Sequence, residues 1–112
     1  PVTVPEEKPY SYVEQMPQFE GGHTELLKYL SRNIRYPDEA KQNGAEGMVV
    51  GGFTVNKDGS LEDIRILKSV EESIDTEALR VVKQMEGKWS AGKQNGRAVR
   101  VNYTLPVKFE LR

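Results

Sequence analysis

The strictest constraint on the fold of this 112-residue chain is a long alternation of apolar and polar residues near its C-terminus. The odd-numbered positions of this segment are apolar: Val99, Val101, Tyr103, Leu105, Val107, Phe109 and Leu111. The even-numbered positions from Arg100 onwards are polar, with the exception of Pro106. A period of two is typical of a strand with one face on the core and one in water. We therefore predict a long, half-buried C-terminal strand.

Pro106 indicates that this strand lies at an edge of its sheet. Proline has no backbone N–H, and within sheets it is confined to edge strands and bulges. An exposed edge is either protected, here by nearby charges such as Arg97, Arg100 and Lys108, or kept open for an added peptide strand. These residues leave both alternatives open.

An earlier hairpin is predicted from a second region with a period of two. Alternating residues at about 48–56 and 61–68 indicate two strands, and the segment 56–60 between them is rich in turn-forming residues. Within it, Asp58-Gly59 tolerates the backbone conformation of a tight reversal. The two strands are expected to pair antiparallel.

Three helices are predicted, the first and third from apolar residues at helical spacing and the second from its end signals Pro37, Asp38, Glu39 and Gly44. Their expected ranges are about 24–34, 37–43 and 74–87. Thr24 or Gly22 is available to cap the first helix, and Pro37 suits the first position of the second. The third helix is expected to be capped by either Ser73 or Asp75.

The order of these elements predicts an α+β fold. We expect a three-stranded antiparallel sheet packed on one face by helices, with an extra N-terminal helix and arm. If the last strand runs parallel to the second, it pairs with the first and the strand order is 2-1-3. That order places the last strand at an edge, in agreement with Pro106.

The remaining segments are assigned by composition. Residues 1–9 hold three prolines among Glu and Lys, which suits a linker remnant or an ordinary terminus. Because the sequence opens with Pro1, we expect that it was cut from within a longer protein. Residues 10–112 are predicted to be one domain, with an N-terminal extension at 10–35 and a core at 36–112. In that extension, 10–19 is expected to be a short strand or an ordered arm. In the core, 90–96 is expected to be a loop that leads into the last strand.

Composition excludes several classes of function. The formal net charge is −1, and the excess of basic residues after position 86 falls far short of a nucleic-acid interface. Cysteine is absent, which excludes disulfides, thiolate metal sites and cysteine nucleophiles, and fits a cytosolic or an envelope location equally. No apolar run approaches the ~18 residues that a membrane span needs.

The polar residues form no recognisable catalytic or metal-binding pattern. His23 is the only histidine and is expected to be structural or solvated. Neighbouring carboxylates such as Asp38 and Glu39 point in different directions, whereas acid–base catalysis needs carboxylates that converge across a cleft. We therefore expect no enzyme, no catalytic residues, no metal and no cofactor.

A series of short motifs, in order along the chain, carries a family resemblance. The matching residues are Tyr36-Pro37-Asp38-Glu39-Ala40, Gly47-Met48-Val49-Val50, Phe53-Thr54-Val55, Asp58-Gly59, Ser73-Ile74-Asp75, Ala78-Leu79, Trp89, Ala91, Gly96 and Val107-Lys108-Phe109-Glu110-Leu111. Together they resemble the TonB C-terminal domain family. The preceding 13–22 segment and helix resemble the extension found on such domains in Bacteroidetes-type bacteria. Within the core, Ser90 departs from the family, which usually has a proline before the alanine that is Ala91 here.

The resemblance implies the function of a transport energy transducer. Such a domain lies in the periplasm, anchored to the inner membrane in the full-length protein, and works with ExbB and ExbD. Its partners are outer-membrane TonB-dependent receptors, whose Ton box peptide adds as a strand to the last strand of the domain. A homodimer is a further arrangement that such an edge permits. No nucleic acid is expected as a partner.

Backbone parity assigns the expected peptide-binding residues. Pro106 is tolerated if its missing N–H faces the free side, so even-numbered residues then present their backbone groups to the peptide. The predicted site is Arg100, Val101, Asn102, Tyr103, Thr104 and Leu105. Asn102→Pro is accordingly expected to abolish peptide binding while leaving the fold intact.

Two other functions remain open at this point. TonB-like domains also occur on membrane metallopeptidase-type sensors, where they serve in recognition. A plain scaffold domain without a peptide ligand is the third alternative. The domain sequence does not separate these alternatives from a transducer.

Overall fold

The computed structural model of the chain describes residues 9–111. Its helices and strands are, in chain order, β1 (Gln18–Phe19), α1 (His23–Asn33), α2 (Asp38–Gln42), β2 (Gly47–Val55), β3 (Leu61–Lys68), α3 (Glu72–Gln84), β4 (Trp89–Ser90), β5 (Gly92–Gln94), β6 (Arg97–Val99) and β7 (Val101–Phe109). The predicted linker at 1–9 lies, apart from Pro9, outside the described residues.

The main sheet has three antiparallel strands in the order β3-β2-β7. This confirms the predicted order 2-1-3 and places β7 at an edge. Strand β7 pairs with β2 along its whole length, from Val101 opposite Val55 to Phe109 opposite Gly47, without a register shift. The alternation of apolar and polar residues is what keeps this register, because a slip of one residue would turn the apolar side chains to water.

The core lies between one face of this sheet and the helices. Its fully buried side chains include Val49, Phe53 and Val55 of β2, Ile74, Val81 and Met85 near or on α3, and Leu26 of α1. The buried positions of α3 recur at helical spacing, so one stripe of the helix faces the sheet. These contacts give the α+β architecture expected from the sequence.

The two edges of the sheet differ in regularity. The pairing of β3 with β2 contains two register shifts, and Asp63 of β3 adopts a positive φ of 55°. Irregularities of this kind hinder the pairing of another strand with an edge. By contrast, β7 is regular over nine residues, so it is the edge better suited to accept a strand.

The N-terminus of α3 differs from the prediction. Its N-cap is Glu71, not Ser73 or Asp75, and Glu71 makes no side-chain cap hydrogen bond. Asp75 instead accepts a hydrogen bond from the backbone N–H of Val70 (3.1 Å), and the Ser73 hydroxyl donates to the Glu71 carboxylate (2.6 Å). Both predicted caps are thus engaged in other contacts around the β3–α3 connection.

The segment 90–96 is not a loop, and the predicted strand does not start at Val99. Strands β5 and β6 form a small hairpin around Asn95-Gly96, both with positive φ, and β7 begins after Arg100. The alternation continues across this break because Val99 and Val101 pack on the same small cluster, together with Val13. Because both residues pack on Val13, the sequence pattern of one continuous strand extends over two separate strands, β6 and β7.

The carboxylate of Glu77 ties α3 to the end of α1 and the connection that follows it. It accepts hydrogen bonds from Arg80 Nε (2.6 Å) and from the backbone N–H of Arg35 (2.7 Å), while Arg80 Nη2 also donates to the Asn33 carbonyl (2.8 Å). The hydrogen bond from Arg80, followed by that from Arg35, lowers the pKa of Glu77.

We expect Glu77→Gln to lower the free energy of unfolding by about 1 kcal/mol at neutral pH, a value reduced for the partly exposed Arg80. A lowered folded-state pKa stabilises the fold above the usual glutamate pKa of about 4.3, and this stabilisation is lost as the pH falls through the folded pKa. The difference between the two proteins should therefore shrink in acid. Urea unfolding at pH ~7 and ~3 checks this, and an unchanged difference would contradict it.

Candidate peptide-binding edge

The outer side of β7 exposes the backbone groups of its even-numbered residues. Asn102 donates its N–H to the carbonyl of Tyr10 (2.7 Å), and the carbonyl of Arg100 accepts the N–H of Tyr10 (2.8 Å). Because β7 has no register shift against β2, the backbone groups of Thr104 and Pro106 face the same side. The missing N–H of Pro106 thus costs no hydrogen bond of the sheet.

The N-terminal arm occupies one end of this edge. Tyr10 pairs with Val101 in a parallel bridge, and its two hydrogen bonds use the outward groups of Arg100 and Asn102. The arm is held there by Val13, which is buried against Val99 and Val101. Two positions that we expected to be open are therefore covered by the chain itself. From Asn102 to Phe109, the only strand of residues 9–111 that pairs with β7 is β2, so no strand covers the outer side of this part of β7.

The side chains of the predicted site are engaged to different degrees. The Arg100 guanidinium donates to Asn56 Oδ1 (3.1 Å) and to the Glu62 carboxylate, and Asn102 Oδ1 accepts from the hydroxyl of Thr54 (2.9 Å). Both side chains therefore bond to their own sheet. Among the other four residues of the site, Val101 and Leu105 are buried, Tyr103 is half-buried and Thr104 is exposed. Thr104 is the member that combines an exposed side chain with outward backbone groups.

An aromatic cluster supports the edge from beneath. The ring of Tyr103 stacks on Phe53 (centroids 5.5 Å apart) and meets Trp89 edge-on (4.8 Å). Trp89 in turn contacts Phe19 of β1 at 5.8 Å, so the cluster joins β7 to the N-terminal arm. Burial in this cluster raises the pKa of the Tyr103 hydroxyl. The first half of the edge strand is thereby anchored to the core.

A groove of about 450 Å³ runs beside the first half of β7. One wall is formed by Asn102, Tyr103 and Thr104, and the other by Met16, Pro17, Gln18, Phe19, His23 and Leu26. Sequence reasoning missed this second wall and assigned His23 a structural or solvated role. The apolar residues of the arm suit any apolar surface, so no pattern in the sequence specifies that the arm lies opposite β7.

The described part of the chain holds neither a metal-binding cluster nor a membrane-spanning helix. Between Pro9 and Leu111, no three His, Asp or Glu side chains gather at a position suited to a metal ion. In the same range, no helix has both the length and the apolar character that crossing a membrane requires.

Comparison with known proteins identifies the family. A family model of the C-terminal region of the Gram-negative bacterial TonB protein matches residues 32–111. The chain therefore belongs to the TonB C-terminal family. The match covers the sheet, α2 and α3 but leaves out the N-terminal arm and nearly all of α1.

Relatives and solved structures agree with this assignment. Two TonB proteins of Helicobacter pylori strains are 30% identical over 84 residues and 40% identical over 55 residues, or 74% and 48% of this chain. The matches span 28% and 20% of those proteins. Two solution NMR structures of the H. pylori TonB C-terminal domain superpose with TM-scores of 0.63 and 0.58, at 27% and 26% identity. They cover 80% and 78% of this chain, and 79% and 90% of theirs.

Amide hydrogen exchange is expected to distinguish the covered and uncovered parts of the edge. The Asn102 amide, bonded to Tyr10, should exchange more slowly than the Thr104 amide, which faces the groove. Deletion of residues 1–11 removes Tyr10 but keeps Val13, so the Asn102 amide should then exchange about as fast as that of Thr104. The amides of Tyr103 and Leu105, bonded to β2, serve as controls. An Asn102 amide that stays protected after the deletion would contradict this account of the arm.

Proposed function

We propose that this chain is the periplasmic, receptor-binding domain of a TonB energy transducer and not an enzyme. In this proposal the Ton box of an outer-membrane TonB-dependent receptor adds as a strand to the free edge of β7. Parts of the protein outside this chain anchor it in the inner membrane and couple it to ExbB and ExbD, which draw on the proton gradient. Nutrient import is the process that it would drive.

The observation that carries this proposal is the edge of β7. It is regular, its outward backbone groups at Thr104 lie beside a groove, and membership of the TonB C-terminal family makes a receptor peptide the expected occupant. Main-chain hydrogen bonds supply affinity in strand addition, and pockets for alternate side chains supply specificity. The edge of β7 offers outward backbone groups for hydrogen bonds and a groove for a side chain.

A peptide that covers the whole proposed site, from Arg100 to Leu105, has to replace Tyr10. The two hydrogen bonds of Tyr10 are then exchanged for two bonds to the peptide, so they add little to the net affinity. Binding energy comes mainly from the Thr104 backbone and from the groove. With so small a contact we expect a Kd in the micromolar range, about −8 kcal/mol.

Thr104→Pro is expected to abolish peptide binding and to leave the fold intact. The substitution removes an N–H that faces away from β2, and the same strand already tolerates Pro106 two residues later. Thr104→Val is the matched control, since it keeps the N–H and a β-branched side chain of similar size. Calorimetric titration with a synthetic Ton box peptide measures the affinity of each protein, and circular dichroism monitors the fold.

If the wild-type domain binds the peptide and Thr104→Pro binds it with the same affinity, strand addition at this edge is contradicted. No binding of several Ton box peptides to the wild-type domain would contradict the transducer function and favour a scaffold or sensor domain. Asn102→Pro is a less specific test of peptide binding, because it also removes the hydrogen bonds of Asn102 with Tyr10 and with the buried hydroxyl of Thr54. Titrations at several protein concentrations separate peptide binding from self-association of the edge.

A further inference from the structure

The groove beside β7 has one wall that belongs to the family core and one that does not. Asn102, Tyr103 and Thr104 lie inside the segment that matches the TonB C-terminal model, residues 32–111. The opposite wall, from Met16 to Leu26, lies entirely before that segment. The N-terminal arm and the first turns of α1 thus add a surface to the edge that the matched core does not supply.

We propose that this added wall is a side-chain subsite that selects an uncharged, apolar residue of the strand bound to β7. This inference rests on the proposed function, because it concerns the same edge and the same extended peptide. It assigns specificity to Met16, Gln18, Phe19, His23 and Leu26, in addition to the backbone contacts of β7.

The geometry of strand addition directs peptide side chains to this wall. Side chains of an added strand alternate between the two faces of the sheet, so every second one lies on the side of Tyr103. That is the side on which the aromatic cluster, β1 and α1 lie. A peptide residue opposite Tyr103 therefore enters the groove, while its neighbours remain on the open face of the sheet.

The lining of the groove is suited to an apolar side chain. Phe19 is 7% exposed and Leu26 is 1% exposed, and both belong to the main core, while Met16 is half-buried on the smaller cluster around Val101. None of the nine lining residues is an aspartate, glutamate, lysine or arginine. A charged peptide residue would lose hydration here, and His23 is the one side chain of the lining that could offer a carboxylate an opposite charge.

The chain itself shows that this edge accepts an extended segment. Tyr10 lies on β7 immediately before the groove and bonds to Asn102, which is also a residue of the groove wall. The groove therefore continues the path that the arm follows at Val101. This continuity favours an extended peptide over a globular surface as the occupant.

A charge-swap experiment tests the subsite. Each residue of a binding Ton box peptide is replaced in turn by Glu, and every peptide is titrated against the wild-type chain, His23→Lys and Thr24→Lys. His23 and Thr24 are adjacent, exposed residues of α1, but only His23 lines the groove. We expect Glu at the groove-facing position to weaken binding to the wild type by about tenfold. His23→Lys should recover most of that loss at this position alone, and Thr24→Lys should not.

The outcomes separate the subsite from the proposed function. If no peptide binds the wild type, or if Thr104→Pro binds as well as the wild type, strand addition to β7 is wrong and the subsite is wrong with it. If Thr104→Pro abolishes binding but Glu is tolerated at every position, the subsite is overturned and strand addition stands. Equal recovery by His23→Lys and Thr24→Lys would show general charge attraction and would also overturn the subsite.

Discussion

The contacts of Phe53 with Trp89 and Tyr103 are the interactions on which the rest of this structure depends. Phe53 is a fully buried residue of β2, and its two aromatic neighbours come from β4 and from the edge strand β7. Trp89 extends the cluster to Phe19, and the hairpin turn after β2 packs so closely on it that a Cβ at Gly59 would lie 2.4 Å from the Trp89 carbonyl oxygen. Sheet, arm and groove therefore share one set of buried rings.

The backbone N–H that Pro106 lacks determines which groups the edge of β7 presents. Pro106 is compatible with β7 only because its nitrogen faces away from β2, and this orientation turns the outward groups of Asn102 and Thr104 to the same side. An uncovered edge is a hazard for aggregation, and the arm reduces it by pairing Tyr10 with one end. The uncovered part of β7 begins at Thr104, where it lies beside the groove, which suits a weakly bound peptide.

The sequence predicts the elements whose signal is periodic and local. Alternation, turn residues and Pro106 predict three long strands, their order and the edge position of the last one, although β7 begins at Val101 and not at the predicted Val99. The predicted N-cap of α3 is wrong because Asp75 accepts a hydrogen bond from Val70, five residues earlier in the β3–α3 connection, and Ser73 bonds to Glu71. The position of the arm and the groove wall at His23 were missed for a different reason, because both depend on contacts with β7 about 80 residues away. Pairing between residues so distant in sequence leaves no local pattern in a single chain.

Mapping backbone amide shifts of the isotope-labelled domain during titration with a Ton box peptide is the most direct test of the central claim. If the peptide adds to β7, shifts should concentrate at residues 98–106 and on the opposite groove wall, and should saturate in the micromolar range. The amide of Tyr10 should shift with them, because the peptide replaces its hydrogen bond to Arg100. Shifts confined to β3 or to α3, with β7 unchanged, would contradict strand addition at this edge.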